Sequence, residues 1–376
     1  MKVFRTCFAL ALAFLPVFQA RSAVREWIVY VGTYTRQTSK GIYAYRFEGA
    51  TGKLTPIGLA VETSNPSFLA VHPNQRFVYA VGEGSTGITS AFAIEPGTGK
   101  LKLLNSVSSK GNGPCHVAFD KTGKWIFVAN YGSGSIAAFP VRADGTLGEA
   151  SASIQHSGSS VDTRRQEGPH AHSVNISPDN RFLVATDLGL DETLVYRFDR
   201  SKGALTPNDP PFAKSAAGLG PRHFTFSPNG KFAYVVNEMK SSVTAFSYDK
   251  SRGTLKEIQT LSALPDNFSG SNSGAEIVIH PDGQFLYSSN RGHDSIAVFG
   301  VDPKSGLLKP STWIATGGKT PRSFAIDPTG RYLFAANQNS DSVVVFRIDQ
   351  TTGGLRATGG VLEVPSPVSV VFAAAK

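Results

Sequence analysis

The residues best equipped for chemistry stand in four short segments. "GPRHFTF" carries Arg222 and His223, and "VVNE" ends in Glu238 sixteen residues after Arg222. "SNRG" carries Asn290 and Arg291, and "TPRS" carries Arg322. "GPHAHS" supplies His170 and His172 in a His-x-His spacing. Guanidinium groups hold carboxylates, phosphates and developing oxyanions. An imidazole with a near-neutral pKa moves protons. His-x-His also suits a metal, but no further Cys/His cluster completes a ligand set, so no metal or other cofactor is expected. A phosphate-binding Gly loop leading into a helix, a GxSxG elbow and an HExxH motif are all absent from the sequence, so no serine nucleophile is assigned.

These segments are copies of one unit. Aligned on Pro66, Pro114, Ala171, Pro221, Gly274, Pro321 and a partial copy at Pro367, the units follow one another at 48, 57, 50, 53, 47 and 46 residues. Such periods belong to propellers, solenoids or arrays. Each unit begins with an apolar strand (Phe224 and Phe226; Phe324 and Ile326), and a tight turn such as "PDG" follows. A second strand ("FAYVVN", "FLYSSN"), a third ("SVTAFSYD") and a weaker fourth complete it. No mature segment has a convincing helical period. Four strands repeated radially describe a propeller blade.

Six units are complete. The stretch from "WIVYVGTYT" resembles the last three strands of a unit, and "PVSVVFAA" only the first. Joining them predicts an all-β, seven-bladed propeller of four-stranded blades, closed by the C-terminal strand. A β-solenoid, the rival architecture, needs no such exchange. Positions one and two after each anchor, and positions sixteen and seventeen, then fall at one mouth of the channel. They hold Ser67, Cys115, His172, Arg222, Ala275 and Arg322, then Phe68, His116, Ser173, His223, Glu276 and Ser323. The later pair of columns holds Asn130, Asn237, Asn290 and Asn337, then Glu83, Tyr131, Glu238, Arg291 and Gln338 among others. The recurrent Asn suits turn geometry and local backbone bonding. The variable types make a ring of converging polar groups. His172, His170, Glu238, Arg222 and Arg291 are the candidate catalytic residues. Arg322, His223, Glu276, Asn290 and Gln338 are the candidate substrate-binding ones.

Composition limits the partners. Of 376 residues, 37 are Lys or Arg and 28 are Asp or Glu, a formal charge of +9. Lys2 and Arg5 precede the apolar run "CFALALAFLPVFQA", which small residues follow. This pattern predicts a secretory signal peptide over 1–23, with a single propeller domain over 24–376. The run is too short to span a bilayer comfortably, so no stable membrane insertion is expected after cleavage. Cleavage removes three basic residues and leaves +6, spread along the chain without a nucleic-acid-binding block. The mature chain keeps one cysteine, Cys115, so no internal disulfide forms. A monomer exported to the periplasm or beyond, acting on a small anionic or hydroxylated molecule, fits these features.

The motifs "GPHAHS", "DLGLDETLVY", "GPRHFTFSPNGKFAYVVNE", "GAEIVIHPDGQFLYSSNRGHDSI" and "TPRSFAIDPTGRYLFAANQ" resemble the seven-bladed propeller lactonase family. That family includes bacterial propeller-type 6-phosphogluconolactonases and fungal 3-carboxy-cis,cis-muconate lactonizing enzymes. The resemblance runs from "YVGTYT" to "NQNSDSVVVF" and implies metal-independent hydrolysis of a sugar lactone. It places the family's active-site groups on His170 or His172, Arg222, Glu238 and Arg291. Lactonization of a carboxylated muconate is the alternative it leaves open. A non-catalytic binding platform is a further alternative, since fold alone does not fix function. An exported N-terminus is unusual for an enzyme of a cytosolic sugar-phosphate pathway.

Overall fold

The computed structural model describes residues 26–36 and 38–375. Seven four-stranded antiparallel sheets form the expected propeller. The predicted signal peptide lies outside the described residues. Blades 1 to 6 have inner strands Pro66–Val71, Pro114–Phe119, Ala171–Ile176, Pro221–Phe226, Ser273–Ile279 and Pro321–Ile326. In the closing blade, Pro367–Ala374 pairs with Glu26–Thr33, followed outward by Gly41–Glu48 and Lys53–Glu62. The two incomplete ends of the sequence thus complete each other. Each inner strand touches the inner strands on either side, so the ring closes.

Near-continuous apolar runs such as Phe232–Asn237 give each sheet two apolar faces, and these are buried against the neighbouring blades. Seven separate apolar clusters result, each shared by two neighbouring blades. One packing device recurs around the ring. In six blades the aromatic residue opening the second strand lies on the turn glycine of the next blade, and in three of them a tyrosine two residues on bonds that turn. Phe232 sits where a Cβ on Gly306 would come within 2.3 Å of its ring, and Gly306 has a φ of +74°. Only glycine meets both conditions easily. The Tyr234 hydroxyl donates to the Gly306 carbonyl at 3.1 Å. At the seam, Tyr30 donates to the Gly99 carbonyl at 3.1 Å, with Ile28 in place of the aromatic, so the closing blade shares the tyrosine latch. Burial of each such ring contributes about 1.5–3 kcal/mol.

All seven inner strands carry a β-bulge at the same place. Pro221 pairs with Asn237 and His223 with Val236, which leaves Arg222 as the extra residue. Equivalent slips follow Pro66, Pro114, Ala171, Gly274, Pro321 and Pro367. At a bulge two residues oppose one, and the strand re-aims its side chains. Consecutive residues such as Arg222 and His223 can therefore both serve the channel, where plain alternation would send one of them away.

Candidate active site

Glu238 is the hub. It directly follows the second strand of blade 4, Phe232–Asn237, and its backbone N–H donates to the Gly220 carbonyl at 2.7 Å. Three guanidinium groups reach its carboxylate. Arg222 Nε donates to Oε2 at 3.0 Å, Arg291 Nη2 lies 2.9 Å from Oε2, and Arg165 Nη2 donates to Oε1 at 2.6 Å. His172 Nε2 stands 3.8 Å from Oε2. Burial by itself would raise this carboxyl's pKa. Arg291, Arg222 and Arg165 overcome that effect and hold it well below the usual carboxylate range. It is a fixed anion at any ordinary pH.

The guanidinia are themselves constrained. Arg222 is 2% exposed, and its Nη1 also donates to the Ala275 carbonyl at 2.6 Å. Burial and the neighbouring Arg322 lower its pKa against the opposing pull of Glu238 and Glu276. Arg291 Nη2 also donates to the Gly274 carbonyl at 2.8 Å. Burial, with Arg222 and Arg322 adding to it against Glu238, lowers the Arg291 pKa to about 10, so it stays charged at neutral pH. Among the described residues, Arg222 Nη2 and Arg291 Nη1 have no hydrogen-bond acceptor.

Two histidines flank Tyr131. His170 stacks on the Tyr131 ring at 4.5 Å between centroids, and His172 meets its edge at 5.3 Å. His170 Nδ1 lies 3.0 Å from the Tyr131 carbonyl, which can only accept, so Nδ1 carries the proton. In neutral His170 the Nε2 lone pair is then free; the nearest carboxylate oxygen, on Glu167, is 3.6 Å away. His172 is buried against the Cys115 thiol, with Sγ 3.7 Å from Nδ1. Burial, then Arg222, His223 and Arg322, push its pKa well below the ordinary histidine value, so it is neutral. Burial likewise raises the Cys115 thiol pKa, so Cys115 is no thiolate nucleophile.

One residue further along the inner strands lies a second layer. His223 Nδ1 is 2.7 Å from Glu276 Oε1, and Ser323 Oγ donates to Oε2 at 3.1 Å. The His223 ring stands 5.2 Å from His116, 5.3 Å from His172 and 5.6 Å from Phe68, and Phe68 stacks on His116 at 4.2 Å. Burial lowers both His116 and His223 and raises Glu276. His223 Nε2 is buried without a hydrogen-bond partner among the described residues.

The structure therefore brings together His170, His172, Arg222, Glu238 and Arg291. Arg322 reaches the same mouth from blade 6, its guanidinium 5.4 Å from the Tyr34 ring. His223 and Glu276, expected to touch substrate, instead pair with each other at 3% and 7% exposure. Asn290 is corrected. It is fully buried, and its amide is consumed by Ala263, Ser295 and Asn272, because this column packs into the blade. Asn130, Asn237 and Asn337 do the same. Gln338 opens a 3-10 turn and bonds Asn339, with no link to the cluster. Sequence reasoning missed Arg165, which lies in the long "RRQEG" insertion among other basic residues. Tyr131 and Glu83 stand in the same mouth column as Glu238 and Arg291 but are not among the candidate catalytic or binding residues drawn from it.

A closed seven-bladed ring whose mouth gathers guanidinia, imidazoles and one buried carboxylate defines a propeller lactonase, a class of enzyme. Residues 28–372 match the family described as "Lactonase, 7-bladed beta-propeller", and the chain belongs to that family. It is 38% identical over 301 residues to the 6-phosphogluconolactonase of Bacillus subtilis, covering 80% of this chain and 84% of that one. Identity to the 6-phosphogluconolactonase of Formosa agariphila is 35% over 306 residues, covering 79% and 85%. The periplasmic gluconolactonase PpgL of Pseudomonas aeruginosa superimposes with a TM-score of 0.88 at 36% identity, over 93% of this chain and all of that one. Among the described residues no helix is long and apolar enough to cross a membrane.

Proposed function

We propose that this lactonase hydrolyses a sugar lactone by metal-independent acid–base catalysis at the Glu238 mouth. The observation that carries this reading is the convergence of Arg165, Arg222 and Arg291 on one carboxylate, which fixes the guanidinia before any substrate arrives. Arg222 Nη2 and Arg291 Nη1, free of protein acceptors, hydrogen-bond the lactone carbonyl oxygen and the oxyanion it becomes. Preorganised donors of this kind are worth roughly 3–4 kcal/mol each. Glu238 is a positioning residue: a carboxylate held so far below its usual range is a poor proton acceptor.

His170 is the base in this scheme. Its free Nε2 takes a proton from water as the water oxygen bonds to the carbonyl carbon. The tetrahedral intermediate then expels the ring oxygen, which takes the proton back from His170 as the C–O bond breaks. The products are a hydroxyl and a carboxylic acid that ionises at neutral pH. His172 packs under Tyr131 as a neutral wall that keeps Arg222 dry. The homology to gluconolactone-acting enzymes supports a sugar-lactone substrate. The N-terminal pattern of residues 1–23, together with the periplasmic location of one structural relative, supports an exported enzyme.

Base uptake in a pH-stat, with glucono-1,5-lactone and its 6-phosphate, tests the reading. Purified protein is expected to open at least one of them well above the buffer rate, and Arg291→Ala to remove that excess. A rate equal to buffer on both would overturn it.

A further inference from the structure

The mouth has two unequal lobes. On the side of blades 3 to 5, the cations Arg165, Arg222 and Arg291 all end on Glu238. On the other side, blade 6, the closing blade and blade 1 contribute Arg322, Tyr34 and Glu83. Arg322 is partly buried, yet among the described residues its guanidinium has no hydrogen bond and no ion pair. It lies over the face of Tyr34, 5.4 Å from the ring centroid. Tyr34 is held firmly. Its hydroxyl donates to Glu83 Oε2 at 2.8 Å, its backbone N–H donates to the Ser366 carbonyl at 3.1 Å, and Arg36 lies 5.0 Å from the ring centroid. A cation–π contact uses the flat face of a guanidinium and leaves its five N–H donors unused. A half-buried guanidinium with idle donors, aimed at a ligand mouth, is short of an acceptor that a ligand can bring.

We propose that Arg322 binds a carboxylate carried by the substrate at the end remote from its lactone carbonyl, so that monolactones of sugar diacids are the preferred class. This rests on the lactonase reading and narrows it. The free edge of one guanidinium matches a planar carboxylate in two parallel hydrogen bonds. Glu83, fixed on the Tyr34 hydroxyl beside it, disfavours the second negative charge of a phosphate monoester. The lobes then divide the work: the Glu238 side handles the carbonyl, and the Arg322 side reads the far end.

The test compares D-glucaro-1,4-lactone with D-glucono-1,4-lactone, which share a ring size and differ in the terminal carboxylate. 6-Phosphogluconolactone is the dianion arm. The wild type is expected to prefer the glucarolactone by tenfold or more in kcat/KM, about 1.4 kcal/mol. Arg322→Gln should erase that preference to within about twofold, mainly through KM, while Arg322→Lys retains part of it and Tyr34→Phe weakens it. Melting temperature checks that each variant folds. Equal rates on the two 1,4-lactones, a preference that survives Arg322→Gln, or an Arg322-dependent preference for the phosphorylated lactone would each overturn the proposal. Hydrolysis of no lactone at all would instead sink the parent reading. Calorimetric binding of D-glucarate against D-gluconate still reads the subsite in that case: binding of glucarate that is no tighter, or that is unchanged by Arg322→Gln, overturns it.

Discussion

Glu238 and Glu276 are almost equally buried, at 6% and 7% exposure, yet their protons are governed in opposite directions. Glu238 meets three guanidinia and is held below the ordinary carboxylate range. Glu276 meets one imidazole, one hydroxyl and the Ile277 backbone N–H, and burial outweighs them and raises it. Depth in the channel is therefore a poor guide to charge. The partners decide: fixed cations can overcome desolvation, while a neutral imidazole cannot. The rim is built as a permanent ion cluster. The layer beneath is a set of neutral rings around one carboxyl whose pKa burial raises.

The sharpest way to break this contrast is to remove a rim cation. Arg222→Met takes away two bonds and a buried charge, so a loss of about 3–5 kcal/mol in stability is expected. Loss of the oxyanion donor should also cut kcat/KM by about 10²–10³. Urea denaturation and pH-stat rates measure the two effects. His170→Ala is expected to lower kcat by about 10²–10³. A modest drop in melting temperature should accompany it, since the side chain is 15% exposed and stacks on Tyr131. A variant as fast as the wild type would move the base elsewhere, with His172 the next candidate.

Acid–base stability separates the two carboxylates directly. Glu238 has a lowered pKa, so its stabilisation is present above the ordinary glutamate value of about 4.3 and is lost as pH falls below it. Glu276 has a raised pKa, so the folded state binds more protons than the unfolded one from that value upward, and stability falls as pH rises through this window. Melting temperatures from pH 4 to 7 should therefore fall less steeply with rising pH in Glu276→Gln than in the wild type. Parallel curves would contradict the assignment. The smallest effect belongs to Arg165, whose side chain is 43% exposed. Arg165→Ala should cost less than about 1 kcal/mol in stability. It should lower kcat/KM by only about fivefold to tenfold, because Arg222 and Arg291 still hold Glu238.

Much of this was legible in the sequence. The incomplete units around Trp27 and Pro367 foretold the closing blade because an unpaired edge strand is a liability that ring closure removes. Columns of unlike residues at fixed offsets foretold the mouth, and Arg222, Glu238 and Arg291 do meet there. The bulge after each anchor was not legible: it is a register slip, visible only once partner strands are known. That slip explains why adjacent Arg222 and His223 both serve the channel. Asn290 misled because its column looks polar and central, whereas its side chain packs into the blade. Arg165 was hidden because it comes from an insertion outside the repeat, where spacing predicts nothing.

The central claim is that Glu238 works by holding arginines in place and takes no part in proton transfer. Glu238→Gln, assayed by pH-stat on the best lactone across pH 5 to 8, tests it most directly. The account predicts a loss of at least about 100-fold in kcat/KM. The pH profile should keep the wild-type shape. A profile that loses its acidic limb in the glutamine variant, or a rate within threefold of the wild type, would contradict it.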